Sequence, residues 1–91
     1  MPEPALASFA GRIGEVFRVT TPAVELTLSE VESLGDVAAP GSVRAPFSIV
    51  FTGPEGSNLP QQIYRLEHEQ LGSLELFLVP IGPARYQAVF A

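Results

Sequence analysis

The chain has 91 residues, 46% of them hydrophobic, with ten acidic and five basic side chains and a formal net charge of −5. This length suits a single domain, 1–91, with a thin core, and the apolar content is too high for a disordered chain. The basic residues, Arg12, Arg18, Arg44, Arg65 and Arg85, are scattered singly, which argues against nucleic-acid and anionic-membrane partners; the lack of Cys excludes disulfides and thiolate metal sites, and the lack of Lys excludes Schiff-base chemistry.

The amino terminus carries Glu3 before any basic residue and has early prolines at Pro2 and Pro4. It lacks the positive region and long apolar run of a secretory signal. The longest apolar run, Leu76–Ile81, is far short of a membrane span. The expectation is a soluble chain, cytoplasmic as synthesised. Residues 3–13 hold the single helix pattern: Leu6, Phe9, Ala10 and Ile13 share one helical face, Pro4 suits a first turn and Gly14 can end it. So short a helix is stable only when docked.

Six strand patterns follow. In Glu15–Thr21, Phe17 and Val19 share one face, against Val16 and Arg18. Val24–Leu34 starts with Val24, Leu26 and Leu28 together, then falls out of phase at Glu30, Val31 and Glu32, which predicts a β-bulge near Ser29–Glu30. Pro46–Thr52 aligns Phe47, Ile49 and Phe51. Gln62–Glu69 and Leu74–Ile81 read as a hairpin, and Arg85–Ala91 aligns Tyr86, Ala88 and Phe90. The links between strands are rich in Gly and Pro, and the longest runs from Gly35 to Ala45. The predicted fold is all-β: a six-stranded antiparallel sheet over 15–91, curled into a small barrel or a sandwich, with one short N-terminal helix.

A two-residue hairpin loop would force Leu71 into a positive φ. A three-residue loop, Gln70-Leu71-Gly72, places Gly72 there instead. Leu66 then faces Leu76, Tyr64 faces Leu78, and Glu67 faces Glu75. The predicted core face is Tyr64, Leu66, His68, Leu74, Leu76 and Leu78. The other face holds Arg65, Glu67, Glu75, Phe77 and Val79.

No arrangement of residues points to catalysis. His68 is the one histidine and Asp36, the one aspartate, falls in a loop. Glu67 and Glu69 project from the opposite strand face to His68, so they do not chelate with it, and His68 reads as a hydrogen-bonded structural residue. Glu30 and Glu32 share a strand face but more readily form a solvated, pairing-resistant edge than a metal site. Phosphate-loop, dinucleotide and nucleophile-elbow motifs are absent. The expectation is a non-enzyme with no cofactor and no metal site. An enzyme would need an unrecognised carboxylate pair such as Glu67 and Glu75.

Leu74–Ile81 is apolar on both faces, which calls for a cover on each side. Two covers for Phe77, Val79 and Ile81 are open. One is the N-terminal helix, through Phe9 and Ile13. The other is a protein partner or a second subunit. An open sheet edge offers the same assembly by β-augmentation. These five residues are the interface candidates. A rival reading is a small barrel that holds an apolar or carbohydrate ligand among Phe47, Phe51, Tyr64, Phe77 and Tyr86.

The segments VELTLSEVESL, RAPFSIVFTGP, LPQQIYRLEHEQLGSLELFLVPIGP and YQAVF resemble a small bacterial family known only as a domain of unknown function. The resemblance covers nearly the whole chain from Phe9 onward, and the YRLEH…LG.LELFLVPIGP stretch is its most specific part. Members of that family are often encoded near phage-tail-collar-like proteins. The resemblance assigns no catalytic residue. It implies a structural or assembly role in a phage-tail-like or extracellular filament system, by association alone.

Overall fold

The computed structural model describes residues 6–34 and 46–90, the side chain of Ala7 excepted. The first residues of the predicted helix, the 35–45 loop with Asp36, and Ala91 lie outside the described residues. In chain order the elements are α1 (Leu6–Ala10), β1 (Val16–Val19), β2 (Val24–Ser33), β3 (Phe47–Thr52), β4 (Gln62–His68), β5 (Gly72–Gly82) and β6 (Arg85–Phe90). The strands form a closed antiparallel barrel in the order β1-β2-β3-β6-β5-β4. Of the two predicted architectures, the barrel is the one formed.

Alternation decides what goes inside. Phe17, Val19, Leu26, Leu28, Ile49, Phe51, Leu66, Leu78 and Ala88 are buried, and their strand neighbours mostly face water. The β2–β3 register shifts between Leu28 and Glu30, where the bulge is predicted. Val31 thereby joins the inner side opposite Ile49. β3 departs from simple alternation, because Ser48 and Val50 are also buried. An ion pair reaches across this strand: Arg85 Nη2 on β6 lies 2.6 Å from Glu30 Oε2 on β2. Glu30, expected on a solvated edge, is thus engaged by an arginine.

Both barrel ends are plugged by side chains. At one end Phe9 of α1 is fully buried, with its ring centroid 6.1 Å from Phe17, 6.0 Å from Phe47 and 5.8 Å from Phe90. At the other, the 53–61 loop buries Leu59. The Leu59 N–H donates to the Tyr86 hydroxyl at 3.1 Å, and the Tyr64 hydroxyl donates to the Pro60 carbonyl at 2.5 Å. A helix of this length has no stability of its own, so the Phe9 anchor is what holds it.

One expectation is corrected, and two choices that the sequence left open are decided. The β4–β5 register is shifted by two residues: Leu66 faces Leu74, Tyr64 faces Leu76, and Arg65 rather than Glu67 faces Glu75. The turn is Glu69-Gln70-Leu71, and Gly72 pairs with His68 at a φ of +74°. The cause is a side chain, since Gln70 N–H and Leu71 N–H both donate to His68 Nδ1 at 3.1 Å. A shift of two preserves the faces, so the buried set is nearly as expected, with Leu74 only half-buried. Second, α1 packs against β2 and β3 and leaves the outer face of β5 uncovered. Third, β1 pairs with β4 through Arg18–Glu67 and Val19–Leu66, which closes the sheet. Closure removes the open edges that β-augmentation requires.

Candidate functional site

The outer wall of β4, β5 and β6 carries an apolar row. Ile63 on β4 lies directly opposite Phe77 on β5. The β5–β6 pairing runs from Val79–Gln87 to Gly82–Arg85, so Val89 lies two residues beyond its end on β6, as Phe77 does on β5. All three point away from a core already filled from inside, and their exposures are 66%, 48% and 60%. Half-buried Val79 continues this face along β5, and exposed Ile81 sits at the register shift between Pro80 and Gly82. The Ile63–Phe77 cross-strand pair, with exposed Val89 on the strand next to β5, sets this wall apart from single exposed residues.

Of the five candidates from the sequence, Phe77, Val79 and Ile81 lie on this wall. Ile13 is exposed, after α1 and away from the row. Phe9 is core and presents no surface to a partner. Ile63 and Val89 were missed. The expected register put Arg65 opposite Phe77 and so hid the Ile63–Phe77 pair. The correct turn position was the signal that would have shown it.

A charged band borders the apolar row. One step along β4 and β5, Arg65 faces Glu75. A further step brings Glu67 opposite Ser73, with Arg18 between Glu67 and Glu25. Beside this band is a shallow hollow lined by Glu15, Arg18, Glu25, Glu67, His68 and Gln70. Its carboxylates are spread over separate strands, and among the described residues no group of three or more His, Asp or Glu side chains is placed to hold a metal ion. His68 is buried and committed: its Nδ1 accepts two backbone N–H groups and its Nε2 lies 2.6 Å from Glu15 Oε1. A ring held at both nitrogens is a structural post and leaves no free nitrogen for proton transfer.

The aromatic residues of the ligand reading are used elsewhere. Phe47 stacks on Phe90 at 4.4 Å, Phe51 meets Phe17 edge-on at 5.3 Å, and Tyr64 and Tyr86 hold the end loop by their hydroxyls. Phe77 lies on the outside. Among the described residues no helix is long and apolar enough to cross a membrane.

Residues 4–90 match the model of a family described as a domain of unknown function. No curated protein and no solved structure matches the chain.

Proposed function

The chain belongs to that family, DUF6916, and on this premise we propose that it is a non-enzymatic structural or assembly module that makes protein–protein contacts through the outer wall of β4, β5 and β6. The observation that carries the reading is the Ile63–Phe77 pair, with Val89 on the neighbouring strand. These side chains are exposed while the interior is closed by other residues. In so small a barrel an apolar band of this kind adds nothing to the core, and burying it against a partner is favourable. The bordering charges suit an interface with an apolar centre and a polar rim.

The assembly we assign it to is a phage-tail-like or extracellular filament system, built from chains synthesised in the cytoplasm. Its support is the gene neighbourhood of the bacterial family that the sequence resembles. An apolar or carbohydrate ligand inside the barrel is the weaker reading, because Phe47 and Phe51 pack on other core aromatics, Tyr64 and Tyr86 hold the end loop, and Phe77 lies outside.

The test is site-specific photo-cross-linking in native cells. A benzophenone side chain at position 63, 77 or 89 should capture a protein, and one at exposed Glu55, in the 53–61 end loop, should not. Phe77→Glu should abolish capture from 63 and 89 while the circular dichroism spectrum stays that of the folded barrel. Equal capture from all four positions, or from none, would overturn the reading.

A further inference from the structure

We infer that the partner on this wall is a second copy of the chain, docked face to face about a two-fold axis that runs parallel to β4 and β5 and passes between them. This rests on the contact role proposed above and adds the identity and geometry of the partner.

The basis is the order of residues in adjacent rows. Ile63 faces Phe77, Arg65 faces Glu75, and Glu67 faces Ser73. The Arg65 and Glu75 side chains are directly opposed. Yet among the described residues neither makes an ion pair or a side-chain hydrogen bond, so both remain available to another chain. A two-fold axis parallel to the strands exchanges β4 of one copy with β5 of the other and keeps every row level. Ile63 then meets Phe77 of the second copy, and Phe77 meets its Ile63. Arg65 meets Glu75 of the second copy, and Glu75 meets its Arg65. Glu67 meets Ser73. Each row is self-complementary, as an isologous interface requires, and no like charges meet.

The perpendicular axis lacks this property. A two-fold across the strands through the Ile63–Phe77 row would turn the charged row onto the row on the other side, which holds Gln61 and Val79. Arg65 and Glu75 would lose water without gaining opposite charges, and that is costly. The placement of the charges therefore selects the parallel axis.

Charge exchange tests this. Analytical ultracentrifugation of the wild-type chain should give the dimer mass at high concentration. Arg65→Glu sets carboxylate against carboxylate, and Glu75→Arg sets guanidinium against guanidinium, so each variant alone should shift to the monomer mass. Mixed one to one, they should form a heterodimer, because one copy then carries two acids and the other two bases. The double exchange R65E/E75R should restore the homodimer. Circular dichroism of each variant checks that the barrel is folded. If the wild type dimerises but neither single exchange weakens it, the two-fold geometry is overturned. If the wild type is a monomer throughout while cross-linking from position 77 captures a different protein, the self-partner is overturned and the contact reading stands. A monomer with no cross-link removes both.

Discussion

His68 Nε2 lies 2.6 Å from Glu15 Oε1, although the two residues are 53 positions apart in the chain. Because His68 Nδ1 accepts the N–H groups of Gln70 and Leu71, it must keep its lone pair, and the ring hydrogen is on Nε2, donated to Glu15. Arg12 joins the same cluster, with Nη1 bonded to Gln70 Oε1 and 3.5 Å from Glu15 Oε1. The segment after α1 is thereby tied to the β4–β5 turn. One side chain both sets the hairpin register and fastens that segment to it.

His68→Leu should destabilise the barrel by about 1–3 kcal/mol, since two turn N–H groups lose their acceptor. Glu15→Gln should cost less, under about 1 kcal/mol, because an amide oxygen still accepts and the Glu15 side chain is 40% exposed. Urea titration compares the two. An equal or smaller loss in His68→Leu would mean that the turn is held by something else.

Burial pushes the Tyr64 hydroxyl above its ordinary pKa of 10.0, partly offset by a hydrogen bond to Gln62. The unfolded chain then releases this proton at lower pH than the folded one. The folded state binds more protons across that window, so stability falls as pH rises. The contribution is intact below pH 10 and is lost as pH climbs from there through the raised folded value. Melting temperatures between pH 9 and 11 should fall more steeply for the wild type than for Tyr64→Phe. Parallel curves would show that Tyr64 is not the group responsible.

Gly72 and Ala84 both have positive φ, +74° and +56°. A Cβ at Gly72 would meet nothing within 4 Å, so Gly72→Ala probes backbone strain alone and should cost about 1–2 kcal/mol. Ala84 already bears that strain. Ala84→Gly should stabilise the β5–β6 turn by up to about 1 kcal/mol, reduced by the greater freedom of glycine in the unfolded chain. Thermal melts of the two variants should shift in opposite directions, and a shared direction would refute the strain account.

Leu78 is fully buried inside the barrel. Leu78→Ala should cost about 2–5 kcal/mol in denaturant titration, a large part of the stability of a domain this small. Phe77→Ala, one residue away on the outer wall, should change monomer stability by less than about 1 kcal/mol. Similar losses at both positions would mean that the inner and outer faces are misassigned.

The strands, their inner faces, the bulge in β2 and the positive φ of Gly72 were legible in the chain. Each is a local consequence of side-chain alternation or of the conformational freedom of one residue. His68 was legible as a structural residue, but its partners were not, because Glu15 is far away in sequence. The hairpin register was misread for a definite reason: a slip of two residues leaves every side chain on its own face, so periodicity cannot detect it. Only the folded turn, capped by His68 Nδ1, settled the register and with it the Ile63–Phe77 pair. Closure was legible only as one of two alternatives, barrel or sandwich. It depends on the short contact of β1 with β4, a pairing of segments that are separated by β2 and β3 in the chain and brought together by sheet curvature. The sequence by itself determined that Phe77, Val79 and Ile81 share an outward apolar face. The tertiary structure decided that the face stays open, because Phe9 fills the end of a closed barrel and carries α1 there with it.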